Sequence, residues 1–384
     1  MATLTCYDLE ATVSGFPAFP ELDELRLAAA TPQRPGRVIA LIPVHNEHGQ
    51  LSFTLDAVFG QTRPPDEVYV LTDNAEDTLA EEAAWFPVSI TSTVGNRDKK
   101  AGNLNRCLAM LLPWLEPEDV IVGFDADSVP SADFIENALA WIGRGYGAVG
   151  ATFHGRAGGG FLGLLQRAEF ARFARHQHRK AHCDVLSGTG WAVPVSVMRQ
   201  VAASRPEGQV YDVAAIVEDY ELTLRIKSLG IATVSPSDCL VLTDVMETAA
   251  DWTTQRLRWQ YGTLIALSHY GWNRVTHWQI LRQVLTYLAM LATPLVIVYL
   301  GWSFELFGWR GIDPANAPYY FAGIAGVVGE QAYQARRAGW LAVLSTLLVV
   351  PDFLYSLARQ YIYLRAAYRA ATRKDIVWGA GTSL

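Results

Sequence analysis

Near the carboxyl end of the chain, Val284 to Phe304 runs 21 residues without a charged side chain, bounded by Arg282 and Glu305. At about 1.5 Å of rise per residue, a helix of that length crosses a hydrocarbon layer of about 30 Å. Such a run must either be buried in a core or be given to a membrane. Gly339 to Ala358 is a second run of this kind, interrupted by Pro351 and Asp352. Between them "APYYFAGIAGVVG" is apolar but short, and is expected to be re-entrant, interfacial or a tilted partial span. Pro294 inside the first run is tolerated in a membrane helix. Two full runs and a partial one favour a membrane over a soluble core. Arg256, Arg258, Arg274 and Arg282 precede the first run, and Arg359, Arg365, Arg369, Arg373 and Lys374 follow the last. Cations gather on the cytoplasmic side, so both flanks are expected there, joined by an even number of crossings, most simply two.

The rest of the chain is not built for lipid. Over 384 residues, 51% are apolar and 18% charged, which is oily for a soluble protein and too polar for an all-membrane one. The net charge of -7 argues against nucleic acid as a partner. Cys6, Cys107, Cys183 and Cys239 are too widely spaced for a zinc site or a CxxC pair, and are expected to be reduced, mostly buried thiols in a cytosolic compartment. The start, "MATLTCYDLEATVSGFPAFP", lacks the basic and apolar parts of a signal peptide. "ELDELRLAAA" is expected to form a short helix and "TPQRPG" a turn.

From Arg37 the pattern alternates. "RVIALIPV", "DEVYVLTD", "VSITST", "DVIVGFDAD" and "GAVGATF" are expected strands. "LSFTLDAVFGQ", "EDTLAEEAAWF", "NLNRCLAMLLPWL" and "SADFIENALAWI" are expected helices between them. Alternation of this kind predicts an α/β fold with a mainly parallel sheet covered on both faces. Ligands then sit beyond the carboxyl ends of the strands, where this chain places "PVHNE", "TDN" and "DADS". Further on, "FLGLLQRAEFARFARHQHRK" is expected to be a helix with a solvated or membrane-adjacent basic face. "VEDYELTLRIKSLG" is expected to be a helix stopped by Gly230, and "IATVSP" a late strand.

Four motifs carry chemistry. Asp125 and Asp127 stand at i and i+2 where an apolar strand ends. They can share a hard divalent ion with waters and phosphate oxygens. "RDKKAGNLN" opens a helix with two lysines and a glycine, which suits a diphosphate or a nucleobase carbonyl; an exposed basic turn is the plain alternative. Glu218 and Asp219 begin a helix, either as dipole partners or with one of them as a general base. In "TTQRLRWQYG", Gln255, Arg258, Trp259 and Gly262 fall at i, i+3, i+4 and i+7 and share one helix face. That face offers an amide, a phosphate-binding guanidinium and a flat ring for a sugar, with an interfacial anchor as the plain alternative. Arg256 lies off it and is expected to be a membrane-surface or structural cation.

In this order and spacing the motifs resemble the membrane-embedded members of glycosyltransferase family 2, the cellulose, chitin and hyaluronan synthases and their relatives. The resemblance runs from about Arg37 to the chain end. "PVHNE", "TDN", "KKAGNLN", "DAD", "VLSGTG", "VED" and "QRLRW" each match a family segment. The resemblance implies a GT-A-like nucleotide-sugar-binding fold. It places Pro43, Glu47, Asp73, Lys100, Asn103 and Asp125 at the nucleotide, with Asp73 on a uridine. Asp127 and Asp125 hold Mg2+ or Mn2+, and Gln255 and Arg258 hold the diphosphate. Gly188, Thr189, Glu218 and Trp259 line the acceptor site, and Asp219 is the general base. The reaction is expected to be inverting transfer from a UDP-sugar, with no Ser or Cys nucleophile.

The chain departs from the family pattern in places. Val217 stands where the family often has Thr or Ser, the usual N-terminal spans are absent, and two or three spans are thin for a polymer channel. Assembly into a homo-oligomer is therefore left open. "RKDIVWGAG" is similar to the tryptophan-containing gating segment of hyaluronan-type synthases, which would make Trp378 a gate; a frayed tail is the alternative. The expected organisation is an extension over 1–36, a catalytic domain over 37–250, interfacial helices over 251–280, transmembrane helices over 281–365 and a tail over 366–384. The expected product is a growing polysaccharide at the membrane, made by a catalytic domain facing the cytoplasm and in contact with membrane lipids. Transfer of a single sugar to a lipid or protein acceptor is the alternative, and an inactive membrane-bound nucleotide-sugar sensor or scaffold is the rival of another class.

Overall fold

The computed structural model describes residues 36–44, 50–73, 82–93, 95–179, 183–308 and 317–372. It begins with β1 (Val38–Val44), α1 (Leu51–Phe59), β2 (Glu67–Asp73), β3 (Ser89–Thr93), α2 (Lys99–Leu111) and β4 (Val120–Gly123). Val38 through Ile42 are all fully buried, as in a strand covered on both faces. Val38, Ala40 and Ile42 pack with Leu51 and Leu55 of α1. Ile39 and Leu41 pack with Leu104 and Leu108 of α2 on the other side. The register is parallel, with Pro43 beside Leu71 of β2 and Leu41 beside Gly123 of β4. Helix α2 starts four residues before the expected stretch, at Lys99, and is closed by Leu112, the residue before Pro113. The expected helix "EDTLAEEAAWF" and the N-terminal one lie mostly or wholly outside the described residues.

There follow β5 (Val129–Pro130), α3 (Phe134–Gly143), β6 (Ala148–Gly150), β7 (Thr152–Gly155), α4 (Gly160–Arg179), β8 (Trp191–Pro194), α5 (Val195–Ala203), α6 (Glu218–Ser228), β9 (Thr233–Val234) and β10 (Leu240–Thr243). Among the described residues, seven strands form a sheet in the order β3-β2-β1-β4-β8-β6-β9. Only β8 runs antiparallel to its neighbours, so the sheet is mainly parallel, as expected. A second sheet has the order β5-β10-β7. Two expected strands are corrected. "GAVGATF" is two strands in two sheets, because Ala151 N–H bonds to Gly190 O while Thr152 N–H bonds to Cys239 O. "DVIVGFDAD" stops at Gly123, because Asp125 N–H donates to Gly188 O at 3.0 Å and leaves the ladder.

The C-terminal part is helical: α7 (Ala249–Tyr270), α8 (His277–Phe307), α9 (Ala317–Ala335), a 3-10 turn at Arg336–Ala338, α10 (Trp340–Leu347) and α11 (Val350–Thr372). Thr248 caps α7 by accepting from Asp251 N–H at 3.1 Å. Helix α8 has 31 residues and is about 46 Å long. Its first turns dock on the α/β part, with Gln279 accepting from Tyr220 Oη at 2.8 Å and Arg282 pairing with Asp184 at 3.0 Å. Farther on, Leu288, Leu291, Leu295 and Val298 are more than half exposed. Among the described residues, α8 is the one helix long and apolar enough to cross a membrane unaided.

Two further expectations change. The run Gly339–Ala358 is not a straight span: α10 and α11 meet at 83°. Pro351 cannot donate to the preceding turn, and Val349 at the break has φ 62°, a strained value for a β-branched residue. Asp352, just past the break, is held by Arg172 of α4 at 2.6 and 3.1 Å. The basic face of α4 is accordingly not simply solvated. Arg172 ties it to α11, and Arg175 reaches Glu330 of α9 at 3.6 Å and lies 4.6 Å from the Tyr333 ring. Cys107, Cys183 and Cys239 are free and buried, and burial raises the thiol of Cys107 to about 12.

Candidate active site

The parallel strands β1, β2 and β4 end on one edge. Asp73 closes β2 at 7% exposure and accepts from Thr93 Oγ1 at 2.9 Å. Pro43 lies in β1 beside that strand. Asn103 is buried on α2 and donates to Leu71 O at 2.8 Å, so its amide fixes the end of β2. Glu47 and Trp378 lie outside the described residues.

Lys100, in the first turn of α2, joins the acids. Its ammonium bonds to Asp125 and stands 3.7 Å from Glu218 Oε1. Burial opposes its charge, but Asp125, Glu218 and Asp219 together raise its pKa. Gly188 crosses directly over this pair: a Cβ there would lie 2.5 Å from Lys100 Nζ and 2.8 Å from Asp125 Oδ2. The Gly188 N–H donates to Asp219 Oδ2 at 3.2 Å, and Tyr220 N–H donates to Asp219 Oδ1 at 2.7 Å. Thr189 Oγ1 bonds to Ser187 Oγ at 3.0 Å in the same loop. Burial, and next the charge of Glu218, push Asp219 up to about 6 against the pull of Lys100 and the two N–H groups. A carboxylate with that pKa is matched to taking a proton near neutrality.

Asp127 follows two residues after Asp125, and its Oδ1 accepts from Ser128 Oγ at 3.3 Å. Among the described residues, no group of three or more His, Cys, Asp or Glu gathers to hold a metal. Two carboxylates leave most of a coordination shell to waters and phosphate oxygens. That donor set fits Mg2+ or Mn2+ arriving with a diphosphate.

The face carrying Gln255, Arg258, Trp259 and Gly262 lies on α7 as the spacing predicts. A Cβ on Gly262 would lie 2.2 Å from Val217 Cγ2, so α7 presses on the residue that leads into Glu218 and Asp219. Burial and then the charge of Arg258 lower the pKa of Lys99 at the start of α2, which puts the two cations in one field. Lys99 stands at the N-terminus of α2 and Arg258 within α7, a pairing of positive charges that suits an anion. Lys99 had no separate role in the sequence reading, although it opens the same helix. Of the two roles expected for Arg256, membrane-surface or structural cation, its burial favours the second. Arg256 is 2% exposed, pairs with Glu169 at 2.8 Å, donates to Gln255 Oε1 at 2.6 Å and lies 4.4 Å from the Trp259 ring. Trp259 is half-buried beside Phe153, Phe170 and Val245. Glu169 was missed because nothing in the sequence pairs it with a residue 87 positions away.

The sheet order and the acidic strand ends define a GT-A-like α/β fold. Residues 35–262 match the family model described as Glycosyltransferase like family 2. The chain belongs to that glycosyltransferase family. The matched region takes in the site residues above except Trp378, and ends at Gly262. The probable glycosyltransferase YdaM of Bacillus subtilis (strain 168) is 24% identical over 252 residues, covering 59% of this chain. The aligned region spans 55% of that relative, about half its length. Among solved structures, the mannosyltransferase PcManGT from Pyrobaculum calidifontis, in complex with GDP-Man and Mn2+, has a TM-score of 0.57 at 19% identity. That likeness of fold covers 90% of this chain and 89% of the other, so it reaches into the C-terminal helices.

Proposed function

We propose that the chain is an inverting, metal-dependent glycosyltransferase that moves a sugar from a UDP-sugar to a growing polysaccharide at a membrane, in the manner of the membrane-embedded synthases. The observation that carries this is Lys100, which bonds to Asp125 and stands beside Glu218 and Asp219. One side chain thereby joins the acid that would face the donor to the acid that would face the acceptor. Asp219 takes the proton of the acceptor hydroxyl as its oxygen attacks the anomeric carbon. The bond from that carbon to the diphosphate oxygen breaks, and its electron pair leaves with UDP. Direct attack inverts the configuration. Lys99, Gln255 and Arg258 meet the negative charge that grows on the diphosphate. Asp125 and Asp127 would hold Mg2+ or Mn2+, which supplies further positive charge there; the Mn2+ of the mannosyltransferase supports that choice. Pro43, Glu47, Asp73 and Asn103 serve the nucleotide, and Gly188, Thr189, Glu218 and Trp259 the acceptor.

The catalytic domain, 37–250, faces the cytoplasm, and 251–280 lies along the membrane surface. Within 281–365, α8 crosses the bilayer and the bent pair of α10 and α11 returns. The bare apolar side chains of α8 and the basic residues on both flanks support this arrangement. A second reading is transfer of a single sugar to a lipid or protein. It is favoured by the few helices, among those described, that can cross a membrane, since they are too few for one chain to enclose a polymer. Assembly into a homo-oligomer would remove that objection. An inactive sensor is the least favoured, because the acids and cations of a working site are present. The deciding experiment supplies the purified chain with a panel of UDP-sugars and GDP-mannose, with Mn2+, Mg2+ or chelator. Metal-dependent release of UDP and a lengthening product are expected. Release of GDP alone would change the donor, one added sugar would end the polymer reading, and no release with any donor would overturn the whole proposal.

A further inference from the structure

Behind the active-site face of α7, polar groups from three helices meet in one knot. Glu169 of α4 accepts from Arg256 at 2.8 Å, from Arg359 at 3.0 Å and from Tyr355 Oη at 2.6 Å. Tyr355 accepts in turn from the Trp252 indole N–H at 2.9 Å. Trp252 and Arg256 belong to α7, and Tyr355 and Arg359 to α11. Apolar side chains of similar volume join helices at least as well as a buried ion pair. They cannot, however, orient polar neighbours. Arg256 does so on two sides. One guanidinium nitrogen bonds to Gln255, and the guanidinium as a whole lies near the Trp259 ring, an attractive cation–π placement. Those are the amide and the ring of the catalytic face. Burial works against the Glu169 charge, yet Arg256 and Arg359 hold its carboxyl down at about 2, so the charge is permanent at working pH.

We infer that Glu169 is a positioning residue: it anchors Arg256, Arg256 orients Gln255 and Trp259, and the diphosphate-and-acceptor face of α7 is thereby tied to the C-terminal helix α11. This rests on the proposed reading of Gln255 and Trp259 as substrate contacts. Glu169 bonds to neither of them, so its influence on the reaction passes through Arg256.

The test is Glu169→Gln in the full chain, which keeps the shape and one acceptor oxygen and removes the charge. Transfer kcat/KM is expected to fall about tenfold. The share of donor hydrolysed without transfer rises, because ring and amide no longer align acceptor with donor. Glu169→Asp, which restores the charge, recovers part of the loss. Adding Glu169→Gln to Gln255→Ala or to Trp259→Ala causes little further loss, since the effect is already spent. Tyr355→Phe removes one bond to the same carboxylate and gives a milder change in the same direction, which serves if Glu169→Gln does not fold. A lowered Tm with kcat/KM and the hydrolysis share intact, or effects that add, would overturn the positioning role while Gln255→Ala and Trp259→Ala remain impaired. If those two variants are themselves silent, the substrate-contact reading fails and the role of Glu169 falls with it.

Discussion

Asp219 and Glu169 are both half-buried carboxylates near α7, and they have opposite chemistry. Burial raises the pKa of any acid, and at Asp219 the neighbouring Glu218 adds to that, giving a value of about 6. At Glu169 the same burial is overridden by Arg256 and Arg359, giving a value of about 2. Asp219 can therefore exchange a proton near neutrality, whereas Glu169 stays charged and holds its cations. Depth alone does not set the state of a buried acid; the sign of the nearest charges does.

The largest expected effect is Asp219→Asn, which should lower transfer by about 10²–10⁴-fold while donor binding persists, read as kcat against KM. A fall in affinity with kcat unchanged would remove Asp219 from the chemistry. Next is Glu169→Ala, which leaves the buried Arg256 uncompensated and should lower unfolding free energy by about 3 kcal/mol. Asp219→Asn, by contrast, removes a like charge beside Glu218 and should not lower Tm. Equal Tm changes in the two variants would end the contrast between the sites.

The pH dependence comes third. Log kcat/KM should fall by about one per pH unit below about 6, because Asp219 must be ionised to accept a proton. The sign for stability is the reverse. A raised folded-state pKa means that the Asp219 contribution is present at low pH and is lost as pH rises from its ordinary value of 3.8 through about 6. Glu218→Gln should move the midpoint of the activity profile to lower pH by removing the like charge. An unmoved midpoint would leave burial as the whole cause. The smallest effect is Gly188→Ala, whose new Cβ would lie 2.5 Å from Lys100 Nζ and 2.8 Å from Asp125 Oδ2, so that the paired side chains must shift. A loss of only a few-fold in kcat/KM is expected.

How much was legible depends on how local the signal is. The strands β1, β2 and β4 were legible because buried parallel strands are largely apolar runs between helices with their own periodicity. The four residues of β8 and the break in "GAVGATF" were not, because a short apolar run does not say which sheet edge it will join. The span Gly339–Ala358 was legible as apolar and not as bent, although Pro351 was in view. Its angle is held by Arg172, a residue 180 positions from Asp352. In the candidate site, the place of Asp125 and Asp127 at a strand end and the shared helix face of Gln255, Arg258 and Trp259 were legible from spacing, whereas Asp219 was set apart from Glu218 only by the family resemblance. The surroundings of Lys99, Glu169 and Arg256 were not legible.

Side-chain identity and short-range spacing were enough to establish the alternating α/β pattern, the acidic strand ends, the shared face of α7 and the apolar run inside α8. Those follow from helix and strand periods and from the reach of a few residues along the chain. Which acid exchanges a proton and which stays charged came from folding. Lys100 meets Asp125 and Glu218 across 25 and 118 positions, and Arg359 meets Glu169 across 190. Charge acts through space and falls off with distance, so the state of each carboxylate was set by neighbours that become close only when the helices pack.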